Sequence, residues 1–452
     1  MEEFEKKEKK FLKNPLLTKV FSLFVMILLL QIPLYMVGDL IRERGNLYEE
    51  TSMKIGSEWG KTQRIAAPFL TIVYPKPVNK EEEQKKIVIL PDVMEAKITM
   101  NQEERKRGIY RAVVYNAKAN IQGFFDAKKI PKDENVKIYL SFGLTDTKAI
   151  LKVNQYQFGS KDFTDLESGT RAEPLINKGI STLLSKEYII EKEKIPFIID
   201  MDFRGSGEVS ILPFGEKNIV EITSPWTSPG FTGILPSVKE ISKDGFHGKW
   251  EATHLVRNYP QVISVENDSY LDSFSDGEDS DYSEMDRWKY QEKDSSAIRV
   301  ELFSPITNYT QVSRACKYGI LFIMLSIIVV YIFEVASRQF THFIQYGVVG
   351  ISLVMFYLLL LSLSEHFHFG ISYAISSLAI IIPNSLYMMS LTRNKKFGLG
   401  MFAFLVGIYA ILFSILRMEQ YALLTGTVLI LAVLYVIMFL TRRLDLYFED
   451  EK

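Results

Sequence analysis

The chain has 452 residues, 47% apolar and 24% charged, with a formal net charge of −1. That length allows two or three domains, and the near-neutral balance excludes the basic stripe that nucleic-acid binding calls for. A single cysteine, Cys316, excludes an intrachain disulfide and with it a disulfide-stapled secreted fold.

The apolar residues are unevenly spread, dominating after residue 316, while residues 40 to 315 carry most of the charge. A hydrocarbon core of about 30 Å needs roughly 20 apolar residues in a helix. Six segments approach that length: 16–37, 317–336, 344–363, 371–391, 398–416 and 421–440. The first is longer than the apolar region of a signal peptide. The MVGDLIRERG that follows offers no A-x-A cleavage site, so an uncleaved anchor is expected. Lys6, Lys7, Lys9, Lys10, Lys13 and Lys19 gather at its start, and Arg338, then Arg393, Lys395 and Lys396, then Arg442 and Arg443 fall on the same side of later spans. This positive-inside pattern predicts both termini, 1–15 and 441–452, in the cytoplasm, although Arg42, Arg44, Arg314 and Lys317 lie at the opposite ends. Residues 38–316 then form a periplasmic domain. The predicted fold class is a membrane α-helical bundle of six transmembrane helices, with a large β-rich periplasmic domain inserted after the first helix.

Within that domain, DLIRERGNLYEETSMKIGSEWGKTQ suggests a helix over 40–66. Beyond it come short runs that alternate apolar and polar residues: KIVIL at 86–90, EAKITM at 95–100, RAVVYNAKANI at 111–121 and VKIYLSF at 136–142, then KAILKVNQYQF, IPFIIDMDFRG and EVSILPF. Period-2 runs rich in Val, Ile, Tyr and Phe, bounded by Gly, Pro, Asn and Asp, read as strands. Their repeated spacing predicts an antiparallel sandwich or a curved sheet. Residues 266–286 hold nine acidic residues and no Lys or Arg. No EF-hand spacing is present there, so the stretch reads as a solvated acidic loop rather than a calcium site. His247 and His254 flank Trp250, and on a regular strand their odd separation turns them to opposite faces, against a shared metal. There is no G-x-S-x-G, H-E-x-x-H or P-loop motif. Neither an enzymatic activity nor a cofactor is expected.

Further on, FYLLLLSLSEHFHFG (356–370) ends a membrane-length apolar run on Glu365, His366 and His368. Span three runs outward, so these residues and Glu419, at the head of span six, share one side of the membrane. Three readings stand together: a metal site, for which zinc would need three or four ligands; a proton-handling or docking contact, since histidine titrates near 6.5; or a polar cap between helices. Pro383 and Asn384 interrupt span four as a hinge or as a packing feature. Glu334 and Arg338 read as an i,i+4 pair at the inner end of span two.

Several stretches together resemble one family. TQRIAAPFLTIVYPKP (62–77), ILPDVMEAKITMNQEERKRGIYRAVVY (89–115) and SPWTSPGFTGILPSVKEISKDGFHGKWEATHL (224–255) are similar to segments of the CreD family of bacterial inner-membrane proteins. So are RACKYGILFI, QYGVVGISLVMFYLLLLSLSEHFHF, EQYALLTG and LTRRLDLYF in the membrane half. The QYGxVG…FYLLLLSLSEH piece is the most specific, and it adds Gln345 and Tyr346 to the functional candidates. Met418, Glu419 and Gln420 stand where the family usually has Ser-Glu-Asp, and Leu446 where it often has tryptophan. The resemblance implies a role in cell-envelope integrity tied to a stress response, with no established catalysis. Its implied partners are the lipid bilayer and an envelope protein or cell-wall component. The alternative is a transporter of a small envelope-related substrate through the bundle.

Overall fold

Residues 15–59 form one helix, α1 (Pro15–Trp59), with Pro33 inside it. Pro15 suits a first turn, where its missing N–H is not needed. The helix is described in a computed structural model that covers residues 15–76, 84–133, 135–173, 175–188, 193–257, 259–265, 296–302 and 308–417, with Thr427, Leu431 and Tyr435 beyond. The acidic stretch 266–286, Trp288, Glu419 and most of the expected span 421–440 lie outside the described residues. The first span and the helix expected at 40–66 are therefore one element, which ends seven residues earlier than the sequence suggested. Gly60 follows the last turn: its N–H still bonds back to the Gly56 carbonyl at 3.0 Å, and a Cβ there would lie 2.9 Å from the Arg204 carbonyl carbon.

Seventeen strands follow among the described residues: β1 (Gln63–Val73), β2 (Lys86–Ile89), β3 (Val93–Arg107), β4 (Tyr110–Asp126), β5 (Lys137–Leu144) and β6 (Ile150–Phe158). Next come β7 (Lys161–Asp162), β8 (Glu167–Ser168), β9 (Gly179–Leu184), β10 (Lys194–Ser206), β11 (Glu208–Leu212) and β12 (Lys217–Ser224). The last are β13 (Pro229–Gly233), β14 (Val238–Ser242), β15 (Gly245–Thr253), β16 (Val262–Ser264) and β17 (Ile298–Leu302). One sheet runs β13-β17-β11-β1-β5-β9-β8, with β2 joining β1 to β16; the other runs β14-β15-β12-β3-β4-β10-β6-β7. Pairing is antiparallel except for β1 with β11 and β12 with β3. All seven alternating runs read from the sequence fall on strands of these sheets.

Alternation explains the sandwich. Along β10, every second side chain from Ile195 to Gly205 is buried, so one face enters a core shared with Phe69, Leu140 and Phe142 of the other sheet. Polar tips tie the layers together: Tyr115 Oη donates to the Glu208 carbonyl at 2.8 Å and Tyr156 Oη to the Leu140 carbonyl at 3.0 Å. A buried hydroxyl without such a partner would be costly. Trp250 is fully buried and donates from Nε1 to the Ile234 carbonyl at 2.8 Å. His247 lies on β15, but His254 begins a 3-10 turn (His254–Val256), so the strand-face argument does not extend to it.

Helices fill the remainder: α2 (Asn308–Lys317), α3 (Gly319–Ser337), α4 (Phe343–Ser364), α5 (Phe369–Thr392) and α6 (Lys395–Arg417). With α1, the last four make five helices, among the described residues, long and apolar enough to cross a membrane. The expected count was six, and Thr427, Leu431 and Tyr435 of the remaining span are helical. The chain divides into two compact units, one of residues 1–48 with 306–452 and one of 49–305. The helical unit takes in more than the expected boundaries at 38 and 316. Ile41 of α1 and Tyr309 and Val312 of α2 belong to its apolar core, and Tyr48 of α1 packs against it.

The exposed face of α1 carries Phe21, Phe24, Leu28, Ile32 and Tyr35, while Leu23, Met26, Leu30, Leu34, Val37 and Ile41 are buried. Apolar residues on every side, with only one stripe covered by protein, are what a helix surrounded by hydrocarbon requires.

Candidate functional site

The bundle holds polar side chains at both ends of α4. At its C-terminal end, Glu365 is the C-cap residue and its Oε1 accepts from Tyr309 Oη at 3.1 Å. Beside it, Asn308 Nδ2 donates to the Ser364 carbonyl at 2.6 Å. Glu365 thus helps to hold the short helix α2 against the turn between α4 and α5. His366 is exposed, and its backbone N–H continues the helical pattern to the Leu363 carbonyl at 3.1 Å. His368 is the N-cap of α5, where its Nδ1 accepts from the Gly370 N–H at 3.3 Å. The two imidazoles are therefore used separately, and no group of three or more metal-ligating side chains is assembled among the described residues. Glu419 lies outside them.

Gln345 and Tyr346 stand at the other end of α4. The Gln345 side-chain oxygen accepts from the His342 N–H at 2.8 Å, which satisfies a donor that a helix start leaves free. Tyr346 is fully buried and its Oη donates to Glu334 Oε2 at 2.5 Å. The other oxygen of Glu334 accepts from Lys19 Nζ. Lys19 also reaches the Thr341 carbonyl at 3.4 Å and stands 4.5 Å from the centre of the Phe340 ring.

The i,i+4 pairing of Glu334 with Arg338 is thus replaced. Arg338 takes the left-handed C-cap position of α3 (φ 54°), and this turns it out of the helical spacing that the pair needed. Glu334 is buried. Its partner comes from α1, 315 positions away. A lone charge at the centre of a bilayer costs about 2.5–3.5 kcal/mol on insertion scales, so a buried carboxylate in such a bundle demands a nearby cation and donor. Lys19 and Tyr346 supply both. A charge of each sign at the basic end of two predicted spans was the available signal, and it points to this pair better than local spacing does.

Midway along the bundle, Asn384 Nδ2 donates to Ser352 Oγ on α4 at 2.8 Å and to the Ile380 carbonyl at 2.8 Å. Helix α5 runs through Pro383; Pro383 is exposed, and Asn384 is buried facing α4. Asn384 is a packing contact, and the interruption read into span four is absent. Beyond it lies an aromatic cluster: the Phe356 ring is tilted against Tyr409 at 4.6 Å and meets Tyr373 edge-on at 5.5 Å, and the Tyr373 Oη donates to the Tyr409 carbonyl at 2.6 Å.

A family model described as Inner membrane protein CreD matches residues 15–447. The chain belongs to the CreD family. It is 28% identical over 450 residues to Inner membrane protein CreD of Escherichia coli (strain K12), covering 96% of this chain and 95% of that one. The CreD match takes in both units and both ends of α4, so Tyr346 and Glu365 fall inside it, as do Lys19 and Glu334.

Proposed function

We propose that the protein acts in the inner membrane as a factor for cell-envelope integrity. The β-unit lies in the periplasm, both termini lie in the cytoplasm, and the mode of action is binding rather than catalysis. The observation that carries the binding role is strand β14. It is the end strand of its sheet, all five of its residues are exposed, and Leu235, Val238 and Ile241 on and beside it are large exposed apolar side chains. Folded proteins usually blunt or cover such an edge, because its unpaired backbone groups accept a further strand. An extended segment of an envelope protein would add to β14, with affinity from main-chain hydrogen bonds and selectivity from pockets for alternate side chains.

The test replaces Leu235 and Ile241 with aspartate in cells lacking the native protein and scores envelope permeability. Abundance and protease protection are matched to the parent. Expected is a permeability like that of cells without the protein; permeability at the parent level refutes β14 as the binding edge. Placement is read separately. A Lys239→Cys variant in a Cys316→Ser background should react with a membrane-impermeant maleimide added to cells with a permeabilised outer membrane.

A further inference from the structure

The residues that line α1 on its protein-facing side are Lys19, Leu23, Met26, Leu30, Leu34, Val37 and Ile41. Their spacings are all three or four residues, one stripe of an α-helix. Along the stripe, Leu30 meets the place where a Cβ on Gly350 would be and Leu34 the equivalent place on Gly319. The backbone comes close because those positions carry glycine. Gly38 faces Cys316, with its Cβ position 3.8 Å from the Sγ.

Most of this seam is leucine, methionine and valine. Lipid tails are as apolar as these side chains, so burying them against α3 and α4 supplies little preference over burying them in lipid. The glycine notches give shape. The Lys19–Glu334 pair gives the two sides a charged reason not to part, since separation leaves the cation and the carboxylate without each other in a poorly solvated place. The need is particular to this helix: its span is separated in sequence from all the others by the whole β-unit, residues 49–305, so chain proximity does not bring it back.

We propose that the Lys19–Glu334 pair is the latch that docks the first span onto the rest of the bundle, with Tyr346 as a positioning residue. Tyr346 holds one carboxylate oxygen from α4, so Glu334 presents the other to α1. Phe340 and the Thr341 carbonyl complete the Lys19 side.

The chain's only cysteine provides the readout. In a Gly38→Cys background, membranes holding the full chain are treated with diamide, which takes up the two electrons and two protons released as the introduced thiol and Cys316 join. Thiols left free are then counted with a polyethylene-glycol maleimide under denaturing conditions. The docked parent should show few free thiols. Lys19→Met and Glu334→Gln, each nearly isosteric, should raise the ratio of free to joined chains about tenfold, equivalent to about 1.4 kcal/mol. The exchanged pair Lys19→Glu with Glu334→Lys should bring it back towards the parent, and Tyr346→Phe should fall between. Single variants that crosslink as fully as the parent overturn the latch. So does an exchanged pair that stays as open as the single variants, because the loss is then not one of pairing. A variant that does not insert is recognised by protease protection, and the remaining single variant with its exchange decides.

Discussion

Trp59 lies between two guanidinium groups, with Arg105 and Arg204 each 4.0 Å from its ring centre, and its Nε1 donates to the Tyr115 carbonyl at 3.3 Å. Cation–π contacts contribute about 0.5–1 kcal/mol each when exposed and more when desolvated. Trp59→Ala should therefore destabilise the β-unit by about 2–3 kcal/mol once lost packing is added, with Trp59→Phe recovering part of it. Urea unfolding of the full chain followed by far-ultraviolet dichroism reads both. Asp200 offers a second check. Burial opposes its ionisation, but hydrogen bonds from Asn120 and Asn154 and the charge of Lys118 outweigh that and hold its carboxyl below the usual range. A lowered folded-state pKa gives stability that is present above the unfolded value, about 3.9, and is lost as pH falls through the folded one. Asp200→Asn should thus flatten the acid limb of the stability profile below about pH 4 and leave its slope near neutrality unchanged. Single residues were legible in the sequence where local context decided their role. Glu365 stood out at the end of an apolar run, but its partner Tyr309 did not, because α2 was read as the end of the β-rich domain.

Helices and strands were legible to the degree that their periodicity was unbroken. The alternating runs of β3, β4 and β10 fix one buried face each, and a shift by one residue would expose all of it. The parallel pairing of β1 with β11, where Gln63 stands opposite Val209, carries no local signal, since the two strands are far apart in the chain. Helix α1 reads as two elements in the sequence because its charge changes near Asp39, although the helix runs on through Gly45 and Gly56 to Trp59. Pro383 in α5 left hinge and packing open, because whether the carbonyl that a proline frees finds another donor depends on neighbouring helices, and composition does not report that. The contact between α4 and α5 through Asn384 and Ser352 should be modest in strength, as interhelical hydrogen bonds in membranes average about 0.6 kcal/mol and reach about 1.7. Asn384→Ala should lower the resistance of the purified chain to denaturing detergent by about 1 kcal/mol. A larger loss would mean that this contact aligns more than one helix pair.

In the molecule as a whole, the division into a helical unit and a β-sandwich followed from the spread of charge and apolar residues. The long-range joints did not. Lys19 and Glu334 meet across 315 positions, and a sequence read segment by segment assigns each to its nearest neighbour of opposite charge. The one thiol, Cys316, has a wider consequence. It lies in α2 and is buried, so residues 49–305 contain no cysteine at all. The sandwich is held by its apolar core and by the hydroxyl and amide bonds between its layers, none of which is a thiol or a disulfide. The β-unit therefore reaches its fold without a disulfide-forming catalyst, and its stability does not depend on the thiol–disulfide poise of the compartment in which it folds.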